Sequence, residues 1–331
     1  MPARRTLKDV ARVAGVSQIT VSRVVRGEGV VSERTRAHVT KVIQDLGFVP
    51  NKLAGALSQT RSNQVAVLIP SLVNNVFAQV LRGITEELAK AGYNPVVGVT
   101  NYDVQTEEEQ LISMLSWRPA AVIMANRVHT PRTRKILENA DVPVVELMQL
   151  NDAPIDMAVG FDHADASRNL VDHLLSKGYR RFGYIGWINN DFSAASRYTA
   201  IKQRLHEKGF DLKAPDLFDM PPDMPMGKDG TKSLLADASD LDAIFYSNDI
   251  AAIGGVLHCL EHKISIPGDV AIAGYSGLQM GQALPQPLTT IRTFRYEIGR
   301  IAARNILKSL TNTPVSKITD VGFELVEGAT V

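Results

Sequence analysis

The chain has 331 residues, more than a single small hydrophobic core usually holds, so two or three folding units are expected. Hydrophobic residues make up 45% of it and charged residues 21%, the balance of an ordinary soluble globular protein. A single cysteine, Cys259, excludes an intramolecular disulfide, and the sequence has no apolar run long enough to span a membrane. The segment MPARRTLKDV lacks the apolar run expected of a signal peptide. We therefore expect a cytoplasmic protein with no membrane partner.

The net charge of +1 conceals an uneven distribution. Residues 1–63 contain eleven Lys and Arg residues but four acidic ones, whereas the remainder contains 25 basic and 31 acidic residues. A small basic segment joined to a mildly acidic one is typical of a phosphate-binding module attached to a domain with another task. A solvated basic tail is the alternative, but the helical patterning of this segment argues against it.

The basic segment begins with two short helical patterns. Thr6 and Asp9 have the spacing of a variant capping box, Gly15 ends the first pattern, and Ser17 can cap a second helix with a valine face. The short turn between the patterns contains a glycine, as in a helix-turn-helix unit whose second helix enters the major groove of DNA. The polar face of that helix would consist of Gln18, Thr20, Ser22 and Arg23. These side chains would contact DNA or, as the alternative, form an ordinary solvated surface.

A third helical pattern and a short polar stretch follow. Ser32 can cap the helix and Gly47 ends it. The stretch from Lys52 to Leu57 allows one or two helical turns, and an isolated helix this short is marginal in water. Such a segment would fold only with support from DNA and a partner subunit, which makes it a candidate switch.

The motifs TLKDVARVAGVSQITVSRVV, VSERTRAHV and LGFVPN, followed by an LA..L pattern, resemble the DNA-binding end of the LacI family of bacterial repressors. The resemblance implies a homodimer that binds near-palindromic operator DNA. It also implies that Gln18, Ile19 and Arg23 read major-groove bases, and that a hinge helix wedges Leu57 between base pairs from the minor groove. The DNA-contacting residues expected from the pattern and the resemblance are Thr6, Ser17, Gln18, Ile19, Thr20, Ser22, Arg23, Asn51, Ala54 and Leu57.

From residue 65 onward, continuous apolar runs alternate with helical patterns, as expected of buried parallel strands joined by helices. The predicted strands are 65–69, 95–99, 121–125, 142–148, 182–186, 243–247, 270–274 and 318–326. The predicted helices are 76–91, 106–116, 131–140, 164–177, 194–208 and 249–262. Two βαβ halves of this kind bind a ligand where loops leave the carboxyl ends of the strands. Those loops are 70–77, 100–104, 125–132, 146–152, 187–197, 247–250 and 275–282.

This pattern resembles the periplasmic sugar-binding fold that the bodies of LacI-family proteins share. The resemblance implies an all-α helix-turn-helix head and an α/β body of two Rossmann-like subdomains with a small-molecule effector between them. The expected boundaries are a DNA-binding head at 1–50, a hinge at 51–63 and a body at 64–331. Within the body, one subdomain would comprise 64–160 with 293–318, and the other 161–292 with 319–331.

The family's effector positions fall on four residues of this chain. Phe77 lies where the family places an aromatic or apolar residue against the effector, and Arg197 lies where many members hold effector oxygens. Asn248 belongs to the family's ND pair and would face the cleft. Ser276 departs from the pattern, because most members have an aspartate there that binds sugar hydroxyls. The departure would remove a negative charge from the cleft.

Other cleft loops carry further polar and aromatic candidates. Arg127, His129 and Arg132 would add positive charge, although the two arginines are equally consistent with a solvated helix start. A guanidinium matches a carboxylate, so these residues favour an acid as effector. Glu146 would accept bonds from ligand hydroxyls, and Trp187 would either stack on a ligand or fill the gap between subdomains. The expected effector-binding set is Phe77, Tyr102, Arg127, Glu146, Trp187, Arg197, Asn248 and Ser276.

The runs LVNNVFAQVLRGI, MLSW, HTPRT, VPVVELM and MAVGFD resemble the gluconate-repressor branch of the family. This implies a repressor of sugar-acid genes that gluconate or 2-ketogluconate releases from its operator, with no cofactor or metal. A neutral-sugar effector, a corepressor and a phosphoprotein partner are alternatives, since closure of the cleft can favour either hinge geometry. A sugar-acid enzyme with a DNA-binding head is a further alternative, but no nucleophile–base pair supports it.

Overall fold

The computed structural model describes residues 5–49, 62–150, 153–187, 191–213, 223–238 and 240–331. The chain divides into two compact units, a head at 1–62 and a body at 63–331. The described part of the head contains the helices α1 (Leu7–Ala14), α2 (Gln18–Arg26) and α3 (Glu33–Asp45).

Each helix of the head begins at a residue whose side chain accepts a bond from a backbone amide. Thr6 and Asp9 form the predicted reciprocal capping box of α1, and Ser17 and Ser32 cap α2 and α3 at 3.1 and 3.2 Å. Helix α1 ends at Gly15, whose φ of 65° is in the left-handed region that favours glycine. The three helices bury a common apolar cluster that includes Val10, Ala11, Ala14, Val21, Val24, Val39, Val42 and Phe48.

Strands and helices alternate along the body. Its first part comprises β1 (Gln64–Ile69), α4 (Asn75–Ala89), β2 (Asn94–Val99), α5 (Val104–Leu115), β3 (Ala121–Met124), α6 (Pro131–Glu138), β4 (Val144–Gln149) and β5 (Met157–Phe161). Its second part comprises α7 (His163–Ser176), β6 (Phe182–Ile185), α8 (Phe192–Glu207), β7 (Leu212–Lys213), α9 (Met224–Asp237), β8 (Ala243–Tyr246), α10 (Asp249–His262), β9 (Ala271–Ser276), α11 (Gln279–Gln282) and β10 (Thr289–Thr293). The last elements are α12 (Arg295–Leu310), β11 (Ile318–Asp320) and β12 (Phe323–Val326).

The strands form two sheets, each the centre of a subdomain. The sheet of the first subdomain has the order β11-β5-β4-β3-β1-β2 and is parallel throughout. The sheet of the second has the order β12-β10-β9-β8-β6-β7, with β12 antiparallel to β10 and the other pairs parallel. The chain passes between the sheets after β5, after β10 and between β11 and β12. The predicted architecture, a helical head and an α/β body of two Rossmann-like subdomains, is confirmed.

Close helix packing holds each subdomain together. Helix α4 lies against α12, where a methyl group on Gly83 would overlap the Tyr296 carbonyl oxygen and one on Gly299 would overlap the Val80 carbonyl oxygen. Helices α9 and α10 of the second subdomain approach each other at glycines in the same way. Only glycine allows backbones to come this close, because any side chain would separate the helices.

The structure differs from the sequence-based expectations at several elements. The single strand predicted at 318–326 is wrong: the chain turns at Gly322, with φ of 69°, and its two parts join different sheets as β11 and β12. Strands β5 and β10 and helices α9 and α12 had no predicted counterpart. The sequence of α9 contains Pro225, Gly227 and Gly230, which weaken the helical signal. In the described ranges, no helix is long and apolar enough to cross a membrane.

Candidate functional site: a DNA-facing helix and a polar cleft

Helix α2 carries the predicted DNA-reading residues of the head. Gln18 and Arg23 are exposed, and Ile19 is 65% exposed although it is apolar. Thr20 and Ser22 are half-buried, and the Thr20 hydroxyl lies 2.9 Å from that of Ser17. Thr6 and Ser17 are exposed but also serve as helix caps. The predicted hinge contacts Asn51, Ala54 and Leu57 lie outside the described residues.

The body contains a cleft of about 480 Å³ between the two subdomains, at the carboxyl ends of their strands. Each of the predicted cleft loops contributes to its lining. Of the expected effector-binding residues, those that line it are Phe77, Tyr102, Arg127, Arg197, Asn248 and Ser276. The volume is in the range of a small-molecule site.

Arg197, on α8, is held by neutral groups. Its Nη2 donates to the Ser247 carbonyl oxygen at 3.2 Å, and its guanidinium carbon lies 4.6 Å from the centre of the Tyr275 ring. Its Nη1 lies 3.5 Å from Nδ1 of His163. No carboxylate of the described chain pairs with this guanidinium, and its buried Nε has no hydrogen-bond partner there. A half-buried cation that pairs with no carboxylate favours an anionic ligand.

His163 contributes a neutral imidazole to the same wall. It is buried, and its Nδ1 faces the Tyr275 hydroxyl at 3.1 Å as well as the guanidinium of Arg197. Burial, reinforced by the positive charge of Arg197, holds the pKa of His163 well below its usual value. The neutral ring has one lone pair at Nδ1, which can accept a bond from the Tyr275 hydroxyl or from Arg197, so it contacts Arg197 without neutralising it.

Aromatic side chains form the part of the cleft near α4. Phe77 is buried on the first turn of α4 and lines the cleft. The Tyr102 hydroxyl accepts a bond from Asn74 at 2.9 Å, and burial raises the pKa of Tyr102 to about 12. Trp187 is buried edge-to-face against Tyr102, with ring centres 5.0 Å apart, and is not among the residues that line the cleft. Of its two expected roles, the structure favours filling the gap between subdomains.

Asn248 and Ser276 lie at strand ends of the second subdomain. The Asn248 side chain caps α10 through its oxygen, which accepts from the Ala251 amide at 2.9 Å. Ser276 has a φ of 128°, a conformation that residues other than glycine rarely adopt. Behind it, the buried carboxylate of Asp249 accepts a bond from the Leu278 amide at 2.6 Å. Burial raises the pKa of Asp249 to about 6.

The cleft carries two acids that the sequence analysis did not identify. Asp191 and Asp223 both line it, where they cap α8 and α9 by accepting from the Ala194 and Met226 amides. The described lining therefore carries two carboxylates and two guanidinium groups. A capping carboxylate still has lone pairs available for ligand hydroxyls.

Three further candidates in the first subdomain do not line the cleft, and for Arg132 the structure favours the alternative of a solvated helix start. Glu146 does not line the cleft: it is fully buried, and its Oε2 accepts from the Ile155 amide at 2.7 Å. The side chain of His129 is buried between Glu146 and Glu107, and Arg132 pairs with Glu108 at 2.9 Å. Of the three basic residues expected in this loop region, Arg127 alone is in the described lining.

Several cleft residues were missed from the sequence. They are Gln149, His163, Asp191, Asp223 and Tyr275. The two aspartates carry a usable signal, since each precedes a helical segment as an N-cap. The buried Oε1 of Gln149 and Oγ of Ser247 have no hydrogen-bond partner among the described residues. Buried polar atoms normally have partners, so these two favour a polar ligand.

Comparison with known proteins agrees with this arrangement. The family described as "Bacterial regulatory proteins, lacI family" matches residues 6–51, and "Periplasmic binding proteins and sugar binding domain of LacI family" matches 62–325. The chain is 35% identical to the HTH-type transcriptional regulator GntR of Escherichia coli (strain K12), with 99% of each chain covered. It is 32% identical to the regulator IdnR of the same organism, again with 99% of each covered.

A solved structure shows the same fold over nearly the whole chain. It is a LacI-family transcriptional regulator from Silicibacter pomeroyi with a TM-score of 0.95 and 40% identity, covering 98% of this chain and 99% of that one. The relatives are named transcriptional regulators and not enzymes. The chain therefore belongs to the LacI family and is a DNA-binding transcriptional regulator, close to the GntR and IdnR regulators.

Proposed function

We propose that this protein is a homodimeric repressor of sugar-acid metabolism genes. An aldonate such as gluconate or 2-ketogluconate binds in the cleft and releases the protein from a near-palindromic operator. The uncompensated guanidinium of Arg197 carries this proposal. A sugar acid is fully ionised at neutral pH, so its carboxylate needs a cation once water leaves the cleft.

The other lining residues suit the rest of an aldonate. Asp191 and Asp223 can accept bonds from hydroxyl groups, and the Asn248 and Gln149 amides can donate or accept. Phe77 covers an apolar face of the carbon chain. The ligand would thus have its carboxylate at Arg197 and its hydroxyls toward the capping acids.

A neutral sugar is the second candidate, because Asp191 and Asp223 are suited to sugar hydroxyls and carry negative charge. Calorimetric titration of the purified protein with gluconate, 2-ketogluconate, glucose and ribose separates the two candidates. We expect the acids to bind and the neutral sugars to bind far more weakly. Tight binding of a neutral sugar with no response to either acid would refute the acid effector and leave the regulator assignment intact.

The exposed face of α2 supports the DNA-binding part of the proposal. We expect Gln18→Ala to relax sequence choice at one operator position and to cost about 1–3 kcal/mol in operator affinity if Gln18 contacts a base edge. Binding should also weaken steeply with salt as phosphate counterions are released. Fluorescence anisotropy with operator and random duplexes measures both effects, and equal affinity for the two duplexes would contradict the proposal.

Exposed apolar side chains of the second subdomain support the homodimer. Leu257 and Leu260 lie on one face of α10 and are 39% and 52% exposed, and Met280 on the neighbouring α11 is 46% exposed. Apolar groups that cluster on a surface are typical of an interface. Sedimentation equilibrium should give a dimer, and Leu260→Asp should shift it toward monomer, whereas a monomeric wild type would contradict this part.

A further inference from the structure

A buried charged cluster lies next to the effector cleft in the first subdomain. It consists of Glu107, His129 and Glu146, whose side chains are 2%, 2% and 0% exposed. Nδ1 of His129 lies 2.6 Å from Oε1 of Glu107, and its Nε2 lies 3.5 Å from Oε1 of Glu146. Each charge is costly to remove from water, so the burial of three ionisable groups together calls for a physical explanation.

The three members come from three segments that form the cleft wall. Glu107 is in the first turns of α5, directly after the loop that holds Tyr102. His129 follows Arg127 in the next loop, and Glu146 on β4 immediately precedes the lining residue Leu147. The imidazole therefore joins the segments that place these lining residues, although it does not itself line the cleft.

The surrounding charges favour a cationic His129. Burial alone lowers the pKa of His129, but its hydrogen bond to Glu107 and the carboxylate of Glu146 beside Nε2 outweigh burial and raise the pKa to about 9. A second acid of α5, Glu108, accepts bonds from the Thr130 hydroxyl at 2.5 Å and from Arg132 at 2.9 Å. Without the imidazolium, two carboxylates would face each other in the protein interior.

We propose that cationic His129 is a positioning residue of the effector site. It clamps α5, its own loop and β4 together and so holds Tyr102, Arg127 and Leu147 in the arrangement that the effector requires. The proposal rests on the effector site proposed above and adds a pH dependence to it. The clamp is complete at neutral pH and below the ordinary histidine pKa, and it is lost as the pH rises through about 9.

Few other groups of the site titrate in that window. The charged groups that pair within or beside the cluster are Glu107 and Glu108 of α5, Glu146 of β4 and Arg132 of α6, and Arg127 lies in the same loop as His129. The two helices also carry Glu109, Arg134, Lys135 and Glu138. Carboxylates are ionised and arginines protonated throughout pH 7.5–9.5. The pKa of Tyr102 is about 12, and a sugar acid is also ionised. Effector affinity should therefore follow the charge of His129.

The first experiment is calorimetric titration with gluconate at pH 7.5 and 9.5. We expect wild-type affinity to fall about threefold between the two values, because about three quarters of His129 is neutral at pH 9.5. His129→Gln should bind at least tenfold more weakly than wild type at pH 7.5, with little further change at pH 9.5. Glu107→Gln should move the wild-type pH response toward neutral pH, because it removes one charge that raises the pKa. His262→Gln is the matched control, since His262 is exposed on α10, and should behave as wild type.

The second experiment needs no ligand and separates this proposal from the effector assignment. Amide hydrogen exchange at pH 7.5 should show that residues 100–104 and 125–131 exchange at least tenfold faster in His129→Gln, whereas 191–197 and 247–250 stay as in wild type. If the first two loops keep wild-type protection, or if wild type binds gluconate equally at both pH values, the clamp is refuted. If the loops lose protection and wild type binds no sugar acid, the positioning role of His129 is supported and the sugar-acid effector is refuted.

Discussion

Basic side chains of the two subdomains beside the cleft differ in the charge of their partners. In the second subdomain, Arg197 contacts a carbonyl oxygen, an aromatic ring and a neutral imidazole, all uncharged. In the first subdomain, His129 lies between two glutamates and Arg132 pairs with Glu108. The second subdomain thus keeps the charge of Arg197 available for a ligand, whereas in the first subdomain His129 and Arg132 are paired with glutamates of neighbouring segments.

The contrast shows that a run of basic residues does not by itself predict the charge that a ligand meets. The loop NRVHTPR looks more basic than the segment around Arg197, yet most of its charge is neutralised by glutamates far away in the sequence. The positive charge of a paired cation is already balanced by its carboxylate. Such a cation therefore attracts an anionic ligand only weakly. The following predictions test this contrast.

The largest effect is expected for Arg197→Ala. Gluconate affinity should fall by two orders of magnitude or more, because the variant leaves a desolvated carboxylate without its partner, at a cost of several kcal/mol. Arg204→Ala is the matched control: Arg204 is on the same helix but pairs with Asp172 at 2.7 Å, away from the cleft lining. Calorimetry on both variants measures the effect, and a loss of less than fivefold for Arg197→Ala would show that its charge is not used.

An intermediate effect is expected for Ser276→Asp. The substitution adds a third carboxylate to a lining that already holds Asp191 and Asp223, so gluconate affinity should fall roughly tenfold, or about 1.4 kcal/mol. Ser276→Asn controls for size and for the positive φ without adding charge. Equal losses of gluconate affinity in the two variants would mean that the shape of the side chain at position 276, and not its charge, determines the affinity.

The smallest effects are expected for Arg127 and Arg132 of the first subdomain. Arg127 lines the cleft but is exposed and donates only a 3.3 Å bond to the Leu150 carbonyl oxygen among the described contacts, so Arg127→Ala should weaken gluconate binding a few-fold. Arg132→Ala should change gluconate affinity less than twofold, since the Arg132 guanidinium is paired with the Glu108 carboxylate. If Arg132→Ala weakens binding as much as Arg197→Ala, the contrast between the walls is wrong.

The three helices of the described part of the head were predictable from the sequence. Thr6, Ser17 and Ser32 act on amides within their own helix, and Gly15 ends α1 through its own backbone conformation. Such signals are local, so they remain visible in a linear sequence. The alternating strands and helices of the body, and the side of the sheets on which its cleft opens, were predictable for a similar reason: hydrophobic periodicity and parallel topology are regular.

Tertiary structure alone decided which side chains face the cleft and which charges remain available there. Glu146 ends a buried strand, as a ligand-binding acid would, but its carboxylate bonds the Ile155 amide and faces His129. Residues 318–326 likewise form two strands and not one, because β11 pairs with a strand of the first sheet and β12 with a strand of the second. The sequence by itself determined the family, most of the strands and helices, and the position of Arg197 at the cleft. Burial and pairing between distant residues determined the electrostatics of the site, because the energy of a charge depends on its neighbours in space.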